Sequence, residues 1–327
     1  MGQRLNKTIS FINPVQEDIR DVEALMRSQS NEYHPDLGSA LEHLVASGGK
    51  RIRPALTLLV GRMLGARHDS LISLAAAIEM LHTATLVHDD LIDGALLRRG
   101  MPTLNSRWSP GATVLTGDFV FARAAKMAAD TRSTEVMSLF ANTLTIIVDG
   151  EITQLLGSRC KVDHDHYIKR IYAKTASLFE TSAKAPALLR GASAEDTEAL
   201  RRYGYEIGMA FQIIDDILDF TGDQATIGKP VGSDLRQGII TLPAMRYAET
   251  NPTNRDAQAL ISGECLEDDD QLDQLIADIQ KSDAIHQSHA EAVAYVERGL
   301  TSLRALPPGP ERTSLEELGA YIVQREL

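Results

Sequence analysis

The segment LISLAAAIEMLHTATLVHDDLID, residues 71–93, decides the fold of this chain. Its apolar residues recur at helical spacing, and it ends in three aspartates, Asp89, Asp90 and Asp93. The segment FQIIDDILD, residues 211–219, repeats this design, so the motif DDxxD occurs twice. Side chains four positions apart lie on the same face of a helix. The sequence therefore predicts two long helices, each with a pair of carboxylates at its end.

Helical periodicity extends over nearly the whole chain, and alternating strand patterns are almost absent. Helices are expected at residues 15–30, 37–46, 53–65, 70–93, 112–130, 134–156, 165–190, 195–221, 239–250, 268–280, 283–304 and 312–325. Turn residues separate them, as in the long Gly/Pro-containing loop 223–238. No change in composition marks a domain boundary. We therefore predict an all-α fold with a single domain over residues 1–327.

Bulk composition excludes several classes of protein. The 327 residues are 43% hydrophobic and 24% charged, which is typical of a soluble globular chain. A net charge of −12 argues against a nucleic-acid-binding protein. We expect no signal peptide and no integral membrane segment, because no apolar run is long enough. Cys160 and Cys265 fit neither a zinc site nor a disulfide framework, so we predict two separate thiols and a cytoplasmic protein.

The two acidic clusters predict a metal site. Three carboxylates at the end of an apolar helix repel one another, and burying such charges is unfavourable unless they are paired or bind a metal. Carboxylate oxygens suit Mg²⁺, which proteins hold with one or two carboxylates and the phosphates of a substrate. Two such clusters facing each other would hold a diphosphate through several Mg²⁺ ions. A solvated helix end is the alternative for one cluster, and the second copy argues against it.

A diphosphate site also needs fixed positive charge, and the sequence offers several cations. The string GGKRIRP, residues 48–54, places three of them at the start of a predicted helix, where backbone N–H groups favour an anion. LRRG, residues 97–100, follows the first acidic cluster, and arginine makes bidentate contacts with phosphate. Lys174, Lys229 and His82 are further candidates. Each lysine alone is more typical of a surface cation, and GGKRIRP is the more specific signal. A lone histidine on an apolar helix is usually a core residue, but His82 lies two helical turns before Asp89 on nearly the same face, which favours contact with an anion.

Taken together, these strings resemble the trans-type polyprenyl diphosphate synthases, in particular long-chain members such as the octaprenyl diphosphate synthases. The matching strings are GGKRIRP (48–54), LHTATLVHDDLID (81–93), RRG (98–100), GD (117–118), GEITQL (150–155), KTASLFE (174–180), FQIIDDILD (211–219), GKPVGSDL (228–235) and TLP (241–243). The resemblance implies a bundle of long helices around a central cavity, with the acidic clusters facing across its mouth. It also implies a homodimer that uses Mg²⁺ to join an allylic prenyl diphosphate to isopentenyl diphosphate.

The resemblance assigns a role to each residue that matches a family motif. The implied metal ligands are Asp89, Asp93, Asp215 and Asp219, with Asp90 and Asp216 in support. The implied contacts of the allylic diphosphate are Arg98, Lys174, Thr175, Gln212 and Lys229. The implied contacts of isopentenyl diphosphate are Lys50, Arg53, His82 and Arg99.

One position departs from the family pattern. The family commonly has DLxxGKxTLP after the second acidic cluster, whereas residues 234–243 are DLRQGIITLP. Ile239 therefore stands where the usual lysine would be. We expect one cationic contact with the diphosphate to be missing, or to be supplied by Arg236.

The helix with the first cluster also bears on product length. Leu81, Ala84 and Thr85 lie at helical spacing from Asp89, and the resemblance implies that aromatic residues at this level give short products. Because Ala84 and Thr85 are small, we predict a long all-trans product. Close helix packing is an alternative reason for the small residues, and bulky residues deeper in the cavity, such as Phe121 or Met127, are alternative stops.

Three other functions compete with this hypothesis. A farnesyl or geranylgeranyl diphosphate synthase would share the motifs but make a short product. A class I terpene cyclase typically has one DDxxD and a different second metal motif, unlike this chain. A non-catalytic subunit of a heteromeric prenyl synthase tends to lose acidic or basic residues, whereas all six motif aspartates are present here.

Overall fold

Long helices carry both DDxxD motifs in the computed structural model, which describes residues 10–157, 160, 162–222, 230–266 and 268–325. The α-helices are α1 (Gln16–Ser28), α2 (Pro35–Ala46), α3 (Ile52–Met63), α4 (His68–Ile92), α5 (Pro110–Asp130), α6 (Thr134–Leu156), α7 (His164–Ile171), α8 (Ser177–Arg190), α9 (Ala194–Thr221), α10 (Ser233–Arg236), α11 (Leu242–Thr250), α12 (Arg255–Ser262), α13 (Asp269–Lys281), α14 (Ala284–Leu303) and α15 (Pro310–Val323). Short 3₁₀ helices lie at Ser10–Val15 and Leu104–Ser106, and a π-helical turn, Tyr172–Ala176, joins α7 to α8. A two-residue antiparallel pair, β1 (Leu97–Arg98) and β2 (Met101–Pro102), follows α4.

The two motif helices form the centre of the bundle. α4 packs along α5, and α9 packs against α8 and α14. Glycines allow two of these close approaches. A Cβ atom at Gly117 would collide with the His88 ring, and one at Gly208 would collide with Ala176 and Phe179. The acidic ends of α4 and α9 are therefore held against the neighbouring helices at short range.

The end of α4 is fixed by local chemistry. Gly94 adopts the left-handed conformation, with a φ of 64°, and the N–H of Ala95 donates to the carbonyl of Asp90 at 2.9 Å. Glycine is favoured at this position because it has no Cβ atom. The helix thus stops directly after Asp93, and all three aspartates lie in its last turns. α9 begins at Ser193, whose side chain accepts from the N–H of Asp196, a typical N-terminal cap.

The predicted all-α class is confirmed, with three local differences. α12 lies in a region for which we predicted no helix. The predicted helix 165–190 is interrupted by the π-helical turn. The string RRG forms the turn between β1 and β2, where Arg99 and Gly100 both have positive φ. Residues 223–229 of the predicted loop 223–238 lie outside the described residues, and α10 (Ser233–Arg236) lies within the remainder.

The prediction of two separate thiols was wrong. Cys160 and Cys265 form a disulfide with a Cα–Cα distance of 5.1 Å. Sequence spacing could not reveal the pair, because the fold brings the two segments together. The N–H of Cys160 donates to the carbonyl of Gly238 at 2.8 Å, and that of Val162 to the carbonyl of Leu260 at 3.2 Å. Disulfides are rare in reducing compartments. The thiols therefore no longer support a cytoplasmic location, which stays a prediction.

Two described helices, α4 and α6, are long and apolar enough to cross a membrane by length and composition. In α4, 72% of the most apolar 18-residue stretch is buried inside the protein, as expected of a core helix. In α6, only 22% of the corresponding stretch is buried. Val148, Ile152 and Leu156 stay exposed on its surface. An apolar face of this kind needs a partner to cover it.

Candidate active site

Two adjoining cavities lie between α4 and α9. One, of about 590 Å³, contains cations from the GGKRIRP string and from the β1–β2 turn, and we name it the cationic cavity. Its charged lining residues are Lys50, Arg51, Arg53, Glu79, His82, Arg98, Arg99, Asp215 and Arg325. The other, of about 240 Å³, we name the acidic cavity. Its charged lining residues are Asp89, Asp93, Arg98, Arg170, Lys174, Asp216 and Asp234. Leu86 and Arg98 line both, so the cavities share a wall.

Arg53 and His82 form the buried floor of the cationic cavity. The guanidinium of Arg53 lies 4.7 Å from the ring centre of Phe179, and its Nη1 is 3.2 Å from Nε2 of His82. Burial lowers the pKa of Arg53 to about 10 and, with Arg53 and Arg99, lowers the pKa of His82 well below its usual value. A neutral His82 can accept from Arg53. Among the described residues, the buried Nε of Arg53 has no hydrogen-bond partner.

Arg51, the middle cation of the GGKRIRP string, already has protein partners. Its guanidinium donates to the carboxylates of Glu23 and Glu79, each at 2.8 Å, and to the carbonyl of Val45. Its own backbone is left-handed, with a φ of 47°. We interpret Arg51 as the residue that holds the loop in place. Lys50 and Arg53 are then the cations of this string that remain for a ligand.

In the acidic cavity, nearby positive charge only partly offsets the negative charge of the Asp89 carboxylate. Burial, with contributions from Glu151 and Asp93, raises its pKa to about 6, although Lys174 opposes the shift. Asp89 and Asp93 also lie at the carboxyl end of α4, where the helix dipole disfavours negative charge. A divalent cation would relieve both effects. Oxygen-only donors in this number suit Mg²⁺ or Ca²⁺.

The second acidic cluster divides between the two cavities. Asp216 lines the acidic cavity and accepts from the Tyr167 hydroxyl and from Nε2 of Gln212, both at 2.8 Å. Burial and the nearby Asp234 raise the pKa of Asp216 to about 7. Asp215 lines the cationic cavity. One oxygen of Asp219 accepts from the N–H of Asp234 at 3.2 Å.

The residues assigned to the allylic diphosphate lie together, with one outside the described part of the chain. Arg98 makes a bidentate pair with one oxygen of buried Asp90, at 2.9 and 2.8 Å. Nζ of Lys174 lies 3.0 Å from Oε1 of Glu151. The Thr175 hydroxyl donates to Gln212 at 2.5 Å. Lys174 and Thr175 both belong to the π-helical turn, a feature often found at functional sites. Lys229 lies outside the described residues.

The residues assigned to isopentenyl diphosphate all line the cationic cavity. They are Lys50, Arg53, His82 and Arg99. Arg99 also donates to the carbonyl of Gly48, which ties the β1–β2 turn to the GGKRIRP loop. This agreement concerns position, and the roles themselves stay predictions.

The residues assigned to product length lie deeper in the protein. Leu81 and Ala84 are fully buried in the main core and line neither cavity. Thr85 is half-buried, and its hydroxyl donates to the carbonyl of His82. Of the two alternative stops, Phe121 packs near His88, with ring centres 5.4 Å apart, and Met127 is buried. Product length therefore stays a prediction.

Sequence reasoning missed several residues of this site. Arg325 comes from the segment after the last helix, and its Nη1 lies 2.6 Å from Oδ1 of Asp215. Tyr167, Glu151 and Arg170 are the others. Glu151 lies in the matching string GEITQL but received no role there, and no local motif distinguishes Tyr167 and Arg170. Arg236, our alternative to the missing lysine, pairs instead with Asp273 and donates to the carbonyl of Val231.

A further acidic group does not compete for the metal. Asp18, Asp21 and His68 lie close enough to hold an ion in the described part of the chain. However, Arg62 already pairs with Asp18 at 2.6 Å, and the group lines neither cavity. The DDxxD clusters remain the candidate metal site.

Comparison with known proteins agrees with this arrangement. The profile of the family described as polyprenyl synthetase matches residues 34–279. Component 2 of the Bacillus subtilis heptaprenyl diphosphate synthase is 37% identical, over 97% of this chain and 90% of that protein. The Escherichia coli octaprenyl diphosphate synthase is 33% identical, over 95% and 96% respectively. The crystal structure of a Caulobacter crescentus polyprenyl synthase, complexed with calcium and isoprenyl diphosphate, superposes with a TM-score of 0.90, 34% identity and coverage of 99% and 100%.

Proposed function

The chain belongs to the polyprenyl synthetase family, and on this basis we propose that it joins an allylic prenyl diphosphate to isopentenyl diphosphate with Mg²⁺ as cofactor. One observation carries the proposal. A cavity rich in carboxylates and a cavity rich in cations share the wall formed by Leu86 and Arg98. Two diphosphates bound in these cavities would place their prenyl groups side by side.

The acidic cavity is the proposed site of the metal-bound allylic diphosphate. Asp89 and Asp93 line this cavity and would hold Mg²⁺ from α4. From α9, Asp216 lines the same cavity, whereas Asp215 lines the cationic cavity, so the roles of Asp215 and Asp219 as ligands rest on the motif alone. When bound there, Mg²⁺ neutralises the diphosphate and makes it a better leaving group. Thr175 and Gln212, joined by a hydrogen bond, stand beside this position and can orient the substrate.

The cationic cavity is the proposed site of isopentenyl diphosphate. Arg53, Lys50 and Arg99 line this cavity and bring positive charge to its wall. Holding both reactants in one orientation removes much of the entropic barrier to their reaction. We expect the departing diphosphate to take the final proton, so the reaction needs no dedicated protein base.

We propose a long all-trans product. The two relatives above are named for heptaprenyl and octaprenyl diphosphate, and the residues one turn before Asp89 are the small Ala84 and Thr85. The mass of the product distinguishes this proposal from a farnesyl or geranylgeranyl diphosphate synthase.

We propose that a second copy of the chain covers the apolar face of α5 and α6. Leu115 on α5 is 68% exposed and Leu156 on α6 is 83% exposed, and these two helices pack together. Val114 on α5 and Val148 and Ile152 on α6 are further exposed apolar residues of these two helices. A homodimer would bury this surface without placing α6 in a membrane.

A two-component enzyme is the second candidate, because one similar relative is named as component 2 of its synthase. One assay tests both candidates. The purified chain is incubated with Mg²⁺, isopentenyl diphosphate and each allylic primer, and the products are identified by mass spectrometry. A long polyprenyl diphosphate made by this chain alone supports the proposal, and no product with any primer contradicts it.

A further inference from the structure

Arg170 is a charged residue of the acidic cavity to which no sequence motif assigned a role. We propose that Arg170 binds the diphosphate in this cavity, at the point where the sequence has isoleucine in place of the usual lysine. The inference rests on the proposed function, because it names a further binding residue of that site. Arg170 would then supply the positive charge that is missing at Ile239.

Two contacts within the protein hold the guanidinium group of Arg170 in place. The residue lies in the last turn of α7, directly before Ile171 and the π-helical turn. Its Nη2 donates to the carbonyl of Ile240 at 2.7 Å, and its guanidinium lies 5.5 Å from the ring centre of Tyr167. These contacts reduce the freedom of the side chain before any ligand binds.

Most of the hydrogen-bonding capacity of Arg170 remains unused. A guanidinium has five N–H donors, and the contact with Ile240 uses one of them. Between residues 10 and 325, within the described ranges, no carboxylate lies within 4.0 Å of it. The residue lines the acidic cavity together with Asp89, Asp93 and Lys174. A planar donor group with this capacity matches the oxygens of a phosphate.

The neighbouring cations differ from Arg170 in this respect. Arg98 is paired with Asp90, and Lys174 is paired with Glu151. Arg236 is turned toward Asp273. Among the described cations that line the acidic cavity, Arg170 is thus the one that has no carboxylate within ion-pair distance.

The loop with the missing lysine also holds Arg170. Ile239 lines the acidic cavity together with Arg170, and the carbonyl that accepts from Arg170 belongs to the next residue, Ile240. A lysine at position 239 and an arginine at position 170 would therefore bring charge to the same wall. This relation suggests a rescue experiment.

We expect the Arg170→Gln variant, which retains a donor amide but no charge, to raise the KM for the allylic primer by about 10- to 100-fold, the range for a lost charged hydrogen bond. The KM for isopentenyl diphosphate should change less than about twofold. Adding Ile239→Lys to this variant should recover most of the loss. Arg236→Ala serves as the control for loss of a cation from the same region, and its KM values should match those of the wild type.

Two results would overturn the inference. One is an unchanged KM for the primer in Arg170→Gln. The other is an equal loss for both substrates, with a lower unfolding temperature and no rescue by Ile239→Lys, as a purely structural role predicts.

Binding of inorganic pyrophosphate separates this inference from the proposed function. Calorimetric titration with pyrophosphate and Mg²⁺ requires no turnover. Weaker binding to Arg170→Gln than to the wild type supports the inference even if the chain makes no polyprenyl product. Equal binding to both proteins contradicts it, whatever the assay of turnover shows.

Discussion

Asp89 and His82 lie two helical turns apart on α4, and burial shifts each of them toward its uncharged form. The pKa of His82 falls well below its usual value because Arg53 and Arg99 add to the effect of burial. The pKa of Asp89 rises to about 6 because burial and the nearby Glu151 disfavour its charge. The cations of the cationic cavity are arginines and a lysine, which stay charged at neutral pH. The sensitivity of the site to mild acid should therefore come from the acidic cavity.

We predict that metal binding weakens below about pH 6. Only the ionised carboxylate binds a cation, so protonation of Asp89 competes with the metal as the pH falls through its pKa. Calorimetric titration of the protein with Mg²⁺ should give an affinity that is nearly constant above pH 7. It should fall by about tenfold per pH unit below pH 6. The Asp89→Asn variant should bind weakly at every pH, and a wild-type affinity that is the same at pH 5 and pH 8 would contradict the account.

α4 carries the first acidic cluster at its carboxyl end and packs in the core along the rest of its length. Ala84 is fully buried one turn before the acidic end, in the core that α4 shares with its neighbours. A larger side chain here must either displace the neighbours or occupy the space into which the product grows. The position therefore tests how this helix limits the length of the product.

We predict that Ala84→Phe shortens the product by one or more isoprene units. The family resemblance places this position beside the path of the growing chain, which a ring would block. Because Ala84 is fully buried, the added volume should also lower the free energy of unfolding by about 1–3 kcal/mol. Mass spectrometry of the products measures the change in length. Ala84→Ser is the matched control and should keep the wild-type product. Folded Ala84→Phe protein with an unchanged product would refute the prediction.

The disulfide joins two loops beside the acidic cavity. The two cysteines are 105 residues apart in the sequence, and the chain-entropy relation gives about 5 kcal/mol of stabilisation for a loop of this length, chiefly through the unfolded state. We predict that dithiothreitol lowers the midpoint of urea unfolding of the wild type. The Cys160→Ser/Cys265→Ser double variant has no cysteine left, so dithiothreitol should not affect it. Two free thiols in the unfolded, unreduced wild type would show that the bond does not form.

The sequence predicted the long helices because their apolar periodicity extends over many turns. It missed α12, which has only eight residues, and the π-helical turn within the predicted helix 165–190. At the site, the motif residues are neighbours in the sequence and could be recognised. Arg325 and Tyr167 contact the acidic clusters only through the tertiary fold, so no local pattern could identify them.

At the scale of the whole molecule, α5 and α6 expose several large apolar residues in the described part of the chain, among them Leu115 and Leu156. A single folded chain leaves these residues in water, and covering them with a second copy would stabilise the assembly through apolar burial. The motif helix α4 packs on α5, so a dimer would also support the wall of the site.

We predict that the chain is a dimer in solution, with a mass near twice 35.7 kDa. The Leu115→Glu variant should shift the mass toward one chain, because it places charge in the apolar contact. Ile261→Glu is the matched control, since Ile261 is an exposed apolar residue on α12, and it should stay dimeric. Sedimentation velocity measures all three proteins. A wild-type monomer at micromolar concentration would contradict the proposed dimer.

The most direct test of the account is the Mg²⁺-dependent turnover of Asp89→Ala and Asp215→Ala, measured beside Asp69→Ala. Asp69 lies in the first turn of α4, far along the helix from the acidic end, and provides a matched loss of one carboxylate. We predict that both cluster variants keep the wild-type circular dichroism and lose about a thousandfold or more in turnover, while Asp69→Ala stays active. Turnover close to the wild-type value in either folded cluster variant would contradict the claim that these carboxylates hold the metal.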